Sequence, residues 1–189
     1  MADFDKKKAN QIGFAFSLVL NDSSWDSLKS SRYIMQRILQ KQHYQVKYVA
    51  VAYHDLDENE FGDRKTPHYH LVIEFADRMR LLTCFNYIVE LFSLNENQVS
   101  IEKCSDVGAQ SRYLVHMDDA DKFPYPTTIV ETNNNTALES YFQRFTIHDE
   151  NDLINIVERY PSKKRLFVVL GKKQYKEYRW IIHDLLSSY

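Results

Sequence analysis

Short apolar runs alternate with amphipathic segments through the first half of the chain. Residues 12–20 (IGFAFSLVL) are apolar over the length of a strand, and residues 25–42 space their apolar side chains as a helix does. Residues 45–54 (QVKYVAVAYH) and 67–75 (PHYHLVIEF) are rich in β-branched and aromatic residues, which favour strands. The polar segment between them predicts that these two strands pair as a hairpin with a long loop.

The pattern continues with a second helix and a fourth strand. Apolar residues recur at helical spacing over residues 78–93, and residues 98–102 have the composition of a short strand. The predicted order is strand, helix, strand, strand, helix, strand, which is that of the ferredoxin-like split βαβ plan. We therefore expect an α+β fold with a central antiparallel sheet. Residues 105–116 follow as a short helix, for which Ser105 is the expected N-cap.

The character of the sequence changes at a run of three asparagines, residues 133–135. This run is typical of a linker, and Thr136 with Glu139 forms the capping-box pattern that begins a helix. We therefore predict two domains, residues 1–132 and residues 133–189.

The second domain is expected to be a small helical segment. Residues 151–160 and 173–188 have helical patterns. The apolar LFVVL at 166–170 fits a buried helix and a strand equally well.

The composition is that of a globular protein with a small net charge. Hydrophobic residues make up 44% of the chain, which has only four Gly and four Pro, and the net charge is −2. A negative sum argues against a tight, sequence-blind grip on long duplex DNA. Eight of the acids lie in residues 55–63 and 118–121, so the rest of the surface can still carry local positive patches.

Neither a membrane span nor a disulfide framework is expected. No apolar run approaches the roughly 20 residues that cross a bilayer, and the first ten residues, rich in acids and lysines, do not resemble a signal peptide. Two cysteines, Cys84 and Cys104, are too few for a disulfide framework. We expect a cytoplasmic protein with reduced thiols and no membrane partner.

The strongest chemical signal is the sequence His68-Tyr69-His70 inside a predicted strand. Side chains two apart in a strand point to the same face, so His68 and His70 stand side by side while Tyr69 faces the other way. An isolated pair of this kind is more often two surface histidines on an amphipathic strand. Here His54 ends the preceding strand, and an antiparallel hairpin can bring it close to the pair.

Two aspartates after His54 can add a carboxylate to the same cluster. We favour Asp57 over Asp55, because a chain that turns tightly after His54 brings back the residue three positions on. The alternative is that both aspartates only solubilise a loop. Three imidazoles and one carboxylate suit Mn²⁺, Mg²⁺, Zn²⁺ or Co²⁺ better than Ca²⁺. A cation of this kind can polarise a phosphoryl oxygen during in-line displacement.

Tyr113 is the candidate nucleophile among thirteen tyrosines, most of which must be structural. It lies in a short polar helix, with Arg112 beside it and His116 one turn away. A phenol ionises only near pH 10 in water, so a nearby metal ion or imidazole must help it to attack at neutral pH. Arg112, His116 and Lys122 are candidate DNA contacts, although a basic residue is more often only a solvated charge.

Together these elements resemble the HUH endonucleases, and among them the Rep proteins that initiate rolling-circle replication of small bacterial plasmids. The matching segments are IGFAFSLVL, AVAYHDLD, TPHYHLVIEF and SRYLVHMDDADKFPY, in that order, over roughly residues 10–130. The resemblance implies a site-specific single-strand DNA endonuclease and strand transferase that forms a 5′-phosphotyrosyl intermediate. Residues 1–132 would be its catalytic and origin-binding domain.

The resemblance also implies a role for each residue of the site. Tyr113 is the nucleophile, and the metal ligands are His54, Asp57, His68 and His70. The expected cofactor is Mn²⁺ or Mg²⁺, with Zn²⁺ or Co²⁺ as alternatives. The expected partner is plasmid origin DNA, as a single strand or an extruded hairpin. Residues 133–189 stand where related proteins carry an oligomerisation segment, although they could instead pack onto the catalytic domain.

Three other functions stay open for the same residues. A conjugative relaxase or a single-strand transposase uses the same chemistry on a different DNA substrate. A ferredoxin-like module with exposed aromatics would bind single-stranded nucleic acid without cutting it. A metal-dependent phosphodiesterase that uses water would cut DNA without a covalent adduct, and Tyr113 would then be incidental.

Overall fold

The computed structural model of the chain contains two compact units, Met1–Glu139 and Ser140–Tyr189. The residues that the structure describes are 6–21, 28–41, 44–59, 61–119, 122–142, 150–159, 163, 166, 170 and 174–187. The separate roles expected for residues 1–132 and 133–189 stay predictions.

A five-stranded sheet forms the centre of the first unit. Its strands are β1 (Ile12–Asn21), β2 (Val46–His54), β3 (His68–Arg80), β4 (Val99–Cys104) and β5 (Glu131–Thr132). They lie in the order β4-β1-β3-β2-β5, and every neighbouring pair is antiparallel. The first four strands have the ferredoxin-like arrangement, so the predicted α+β fold with a split βαβ core is confirmed. The short β5 is an addition that the sequence pattern does not predict.

The core of the first unit lies between one face of the sheet and two helices. Among the described residues, the α-helices that begin in this unit are α1 (Lys6–Ala9), α2 (Ser31–Gln40), α3 (Leu81–Phe92), α4 (Val107–Tyr113) and α5 (Asn135–Phe142). Buried residues of α2 and α3 pack against alternate residues of β1 and β3, among them Phe16, Leu18, Leu71 and Ile73. Burial of one such side chain contributes roughly 1.5–3 kcal/mol. The alternation leaves His68 and His70 on the opposite face of β3.

The register of the strands brings three histidines together. In the pairing of β2 with β3, His54 lies opposite His68 and Ala52 lies opposite His70. On the other side of β3, Val19 of β1 lies opposite His70. Because neighbouring strands are roughly 4.7–4.9 Å apart, the three imidazoles fall in one small region at one end of the sheet.

The first long helix begins later than its apolar pattern indicates. Helix α2 starts at Ser31 and not at residue 25, because Ser30 is its N-cap and accepts a hydrogen bond from the Tyr33 amide at 3.1 Å. Lys29 has a left-handed backbone, with φ of 54°, which is incompatible with a continuous helix through this position. Residues 22–27 lie outside the described residues.

Two predicted N-caps are wrong by one or two positions. Asp106, and not Ser105, caps α4, because its carboxylate accepts a hydrogen bond at 2.9 Å from the amide three residues on. Asn134 does the same for α5 at 3.0 Å. Thr136 is therefore inside the helix, and the predicted capping box does not form.

The asparagine run belongs to the fold and is not a simple linker. The Asn133 side-chain oxygen accepts a hydrogen bond from the Val49 amide at 2.8 Å, and its Nδ2 donates to the Lys47 carbonyl at 3.3 Å. Asn133 thereby continues the edge that β5 makes beside β2.

The second unit has a small helical core of its own. It contains α6 (Glu150–Arg159) and α7 (Arg179–Ser187), and its buried residues include Leu153, Val157 and Ile182. Leu166 and Leu170, the two ends of the ambiguous apolar run, are helical, which favours a helix over a strand at these positions. Residues 167–169 lie outside the described part of the chain. None of the helices that the structure describes is long and apolar enough to cross a membrane.

Candidate active site

Three histidines and one aspartate form a compact, buried group at one end of the sheet. His54, His68 and His70 come from β2 and β3, and Asp57 comes from the turn that follows β2. One ligand atom of each lies within 4.8 Å of every other. All four residues are at most 8% exposed. The structure therefore brings together the four candidate metal ligands.

The turn after His54 directs one of its two aspartates into this group. The Asp57 backbone carbonyl accepts a hydrogen bond from the Lys65 amide at 2.8 Å, which ties the turn to the start of the return path towards β3. The Asp57 carboxylate lies 3.3 Å from His54 Nδ1. Asp55, in contrast, is exposed.

Backbone carbonyls fix the proton on two of the imidazoles. His54 Nε2 lies 2.8 Å from the Leu114 carbonyl oxygen, and His68 Nδ1 lies 2.8 Å from the Thr66 carbonyl oxygen. Since a carbonyl oxygen only accepts, each of these nitrogens carries the proton and donates it. The other nitrogens, His54 Nδ1 and His68 Nε2, are therefore acceptors in the neutral rings.

The acceptors of this group face one another. Asp57 Oδ2 lies 3.3 Å from His54 Nδ1 and 3.5 Å from His68 Nε2, and His68 Nε2 lies 3.0 Å from His70 Nε2. Asp57 Oδ1 is buried and has no hydrogen-bond partner among the described residues. Two nitrogens that bind one cation at about 2.1 Å and at right angles are roughly 3.0 Å apart. The residues therefore fit a divalent metal ion, which would offset the repulsion between the acceptors.

Burial keeps two of the imidazoles neutral. Burial, reinforced by the neighbouring histidines and by Lys122, lowers the pKa of His70 to about 2. Burial also lowers the pKa of His54, although the nearby Asp57 carboxylate opposes this shift. A neutral imidazole has a lone pair for a metal ion, so both rings are in the binding form at neutral pH.

Tyr113 is the last residue of α4 and lies beside the metal-ligand group. Its ring meets the His70 ring edge-on, with centroids 5.5 Å apart, and the residue is half-buried. The Lys122 ammonium donates a hydrogen bond to the Tyr113 hydroxyl and lies 4.2 Å from the ring centroid. Burial alone would lower the pKa of Lys122, but the hydrogen bond to Tyr113 and the charge of Asp119 raise it above the usual value. The ammonium therefore stays charged at neutral pH.

Two side-chain contacts hold α4 on the same face of the sheet as His70. Gln110 Nε2 donates to Ser17 Oγ at 2.7 Å, and the hydroxyl oxygens of Ser111 and Tyr48 lie 3.0 Å apart. His70 pairs with Val19 of β1 and with Ala52 of β2. Ser17 and Tyr48 lie an even number of residues before Val19 and Ala52, so their side chains point to the same face as His70. The C-terminal end of α4 consequently reaches the metal-ligand group.

Arg112 and His116, at the end of α4 and just beyond it, are buried. Arg112 Nε donates to the Asp118 carboxylate at 2.7 Å. His116 has a left-handed backbone, with φ of 52°, and its Nδ1 donates to the Phe123 carbonyl at 2.8 Å. These bonds connect the end of α4 to the segment that carries Lys122. The DNA contacts expected of Arg112, His116 and Lys122 stay predictions.

Tyr125 is a part of the site that the sequence does not single out. Its ring stacks on the His54 ring, with centroids 4.3 Å apart and planes 20° apart, and its hydroxyl accepts a hydrogen bond from the Leu56 amide at 2.7 Å. Burial raises the pKa of Tyr125 to about 12, so the phenol stays protonated. Tyr125 ends the matching segment SRYLVHMDDADKFPY, but the segment assigns it no role, and only the folded chain brings it to His54.

Comparison with known proteins identifies the family of the chain. The model of a family described as plasmid replication protein, origin binding domain, matches residues 6–139. A replication protein RepB from Lactiplantibacillus plantarum is 32% identical over 87 residues, which are 46% of this chain and 38% of that protein. The chain thus matches well under half of the relative's length. Since the family model covers most of the chain and every residue of the site, this chain belongs to the family of plasmid replication proteins that share this origin binding domain.

Proposed function

We propose that this chain nicks one strand of plasmid origin DNA at a specific site and thereby initiates rolling-circle replication. One observation carries the proposal: the Tyr113 ring packs against His70 of a buried group of three histidines and an aspartate, and the Tyr113 hydroxyl is bonded to Lys122. A hydroxyl nucleophile, a cationic donor and a nearby metal site are the parts that phosphoryl transfer to a protein requires. The family of the chain and its similarity to a replication protein support the setting of plasmid replication.

The cofactor in this proposal is Mn²⁺ or Mg²⁺, with Zn²⁺ or Co²⁺ as alternatives. His54, Asp57, His68 and His70 would hold it, because one ligand atom of each lies within 4.8 Å of the others and the inward nitrogens of His54 and His68 are acceptors that face the Asp57 carboxylate. When bound there, the cation polarises a phosphoryl oxygen and offsets the negative charge of the transition state.

In the proposed reaction the Tyr113 hydroxyl oxygen attacks the scissile phosphorus, and the bond from phosphorus to the 3′ oxygen breaks. The phenol gives up its proton and the departing 3′ oxygen takes one up, so the step balances. Lys122 stabilises the phenolate oxygen through its hydrogen bond. The 5′ end stays on Tyr113 as a phosphotyrosyl ester that keeps the energy of the broken bond. A strand can therefore be rejoined without ATP, and the free 3′-OH can prime synthesis.

The proposed DNA partner is the plasmid origin, as a single strand or an extruded hairpin. Both forms present unpaired nucleotides, which the tyrosine can reach more readily than a phosphate inside a regular duplex. Residues 133–189 act in this proposal as an oligomerisation segment, and light scattering of the intact chain at several concentrations measures that association.

A second candidate is an origin-binding module that does not cut DNA, because the matching family is described by origin binding. Under this alternative, removal of divalent metal ions by a chelator leaves the DNA affinity unchanged. The inward-facing acceptors of the histidine and aspartate group then have no function. A relaxase or transposase would share the nicking chemistry, but the family description refers to plasmid replication and favours an initiator.

A covalent-adduct assay tests the proposal. The chain is incubated with Mn²⁺ and labelled single-stranded oligonucleotides that tile the origin of its replicon, and the products are separated on a denaturing gel. We expect an adduct that EDTA and Tyr113→Phe abolish. Tyr33→Phe is the matched control, because this partly buried tyrosine lies on α2, away from the site. An adduct that persists in Tyr113→Phe would remove Tyr113 from the mechanism, and cut DNA without an adduct would indicate attack by water.

A further inference from the structure

Phe123 presents an exposed aromatic ring one residue after Lys122, which is bonded to the proposed nucleophile. It is 43% exposed, and it directly follows Lys122, whose ammonium is bonded to the Tyr113 hydroxyl. A phenylalanine ring exposed to this extent loses the hydrophobic stabilisation that burial would give it. Covering of this ring by a ligand would recover that stabilisation.

The Phe123 ring is held in place by the residues beneath it. It packs edge-on against Tyr125, with centroids 5.0 Å apart and planes 69° apart. Tyr125 in turn stacks on His54 at 4.3 Å. The Phe123 carbonyl also accepts the hydrogen bond from His116 Nδ1 at 2.8 Å. A continuous series of aromatic rings therefore runs from a candidate metal ligand to the surface, and it fixes the position of Phe123 before any ligand arrives.

We infer that Phe123 is the platform on which an unpaired base of single-stranded DNA stacks beside the scissile phosphate. The inference rests on the proposed function and adds a substrate-binding residue to it. An aromatic ring offers a stacking surface to any of the four bases, whereas a base in a duplex already has both its faces covered. The ring therefore selects unpaired DNA and does not read its sequence.

The charges around the ring suit a nucleotide. Lys122 supplies a cation for a phosphate adjacent to the stacked base, although Asp119, 3.6 Å from the Lys122 ammonium, shares that charge. Asp118 is engaged by Arg112 at 2.7 Å, which offsets the charge of that carboxylate. A base on the ring with a phosphate towards Lys122 would hold the next bond of the strand near the Tyr113 hydroxyl.

Binding of short oligonucleotides to the full chain tests this inference. The probes are fluorescein-labelled (dT)12 as a single strand and the same strand paired with (dA)12, measured by fluorescence anisotropy in EDTA so that no cleavage occurs. Removal of one base–aromatic stack corresponds to roughly a 5- to 150-fold loss of affinity. We expect Phe123→Ala to weaken binding of the single strand by a factor in this range, and Phe123→Trp to restore it.

Phe14→Ala is the matched control. Phe14 is also 43% exposed, but it lies near the other end of β1, where Ile12 pairs with Arg80. We expect this variant to bind (dT)12 within about 2-fold of the unmodified chain, as a surface change away from the site should. The exposed Phe123 ring can be removed without opening the core, and circular dichroism checks that both variants keep the fold.

A 2-aminopurine at one position of the (dT)12 strand reports stacking directly. Its fluorescence should fall on binding to the unmodified chain and stay high with Phe123→Ala. Equal affinities of Phe123→Ala and Phe14→Ala would overturn the inference, as would an equal loss for single strand and duplex. The inference would also be overturned if Phe123→Ala changed the molecular mass measured by light scattering but not the DNA affinity, since the ring would then contact protein.

These outcomes are separate from those of the adduct assay. If Tyr113 forms an adduct but Phe123→Ala binds (dT)12 normally, the stacking inference alone fails. If no adduct forms but the loss of affinity is found, the chain binds unpaired DNA through Phe123 and the proposed nicking activity alone fails.

Discussion

Replacement of Asp57 by asparagine tests whether the histidine and aspartate group is built for a cation. In the protein without metal, Asp57 Oδ2 faces acceptor nitrogens of His54 at 3.3 Å and His68 at 3.5 Å. An asparagine amide has nearly the same shape but can place a donor at this position. Asp57→Asn should therefore stabilise the metal-free protein and weaken the metal site. If Asp57 had only a structural role, the same substitution would destabilise the protein.

The expected changes are large enough to measure. One new buried hydrogen bond contributes roughly 0.5–1.5 kcal/mol, and 1 kcal/mol shifts Tm by about 2–4 °C in a chain of 150–250 residues. Metal-free Asp57→Asn should thus melt roughly 1–6 °C higher than the unmodified chain. A ligand at 100 times its Kd stabilises the folded state by about 2.7 kcal/mol, so saturating Mn²⁺ should raise Tm of the unmodified chain by roughly 5–11 °C. Asp57→Asn should lose most of this rise.

Differential scanning calorimetry in EDTA and in MnCl₂ measures both effects. The control is Asp55→Asn, which makes the same chemical change at an exposed position two residues away and should alter neither value by more than about 1 °C. A metal-free Asp57→Asn protein that melts several degrees lower, or one that keeps the full Mn²⁺ shift, would refute the reasoning.

Two further predictions concern Lys122 and the cysteines. Lys122→Met removes the ammonium bonded to Tyr113 and should slow adduct formation by roughly 100-fold. The control Lys103→Met changes an exposed position on β4 and should not slow adduct formation. Equal rates for the two variants would exclude the role of Lys122. Burial raises the pKa of the Cys84 thiol and that of Cys104 to about 11, so Ellman's reagent at pH 8 should react quickly with neither thiol until the chain is unfolded. Two rapidly reacting thiols in the native protein would contradict their placement.

The parts of the fold that could be predicted from sequence depend on local pattern. Alternation over residues 67–75 identified β3 and separated the face of His68 and His70 from the face of Tyr69, because the side-chain period of a strand is two. Helix starts were less accurate. Ser105 and Asp106 are both competent caps, and the choice depends on where the preceding strand ends.

The details of the site depend on contacts between distant segments. The His54 proton is fixed by the carbonyl of Leu114, sixty residues away along the chain. Tyr125 and Phe123 reach the site only because the segment after α4 returns to β2, and Asn133 bonds to the edge of that strand for the same reason. Such bonds leave no periodic signal, so a motif can indicate the residue types of the site but not their protonation or their neighbours.

The central claim is tested most directly by the mass of one peptide. Trypsin should release residues 113–122, YLVHMDDADK, which contain a single tyrosine. After reaction with Mn²⁺ and an origin oligonucleotide, and digestion of the attached DNA, this peptide should carry a 5′-linked nucleotide, and EDTA should prevent the modification. Nicked DNA together with an unmodified 113–122 peptide, or a nucleotide on a different tyrosine, would contradict the account.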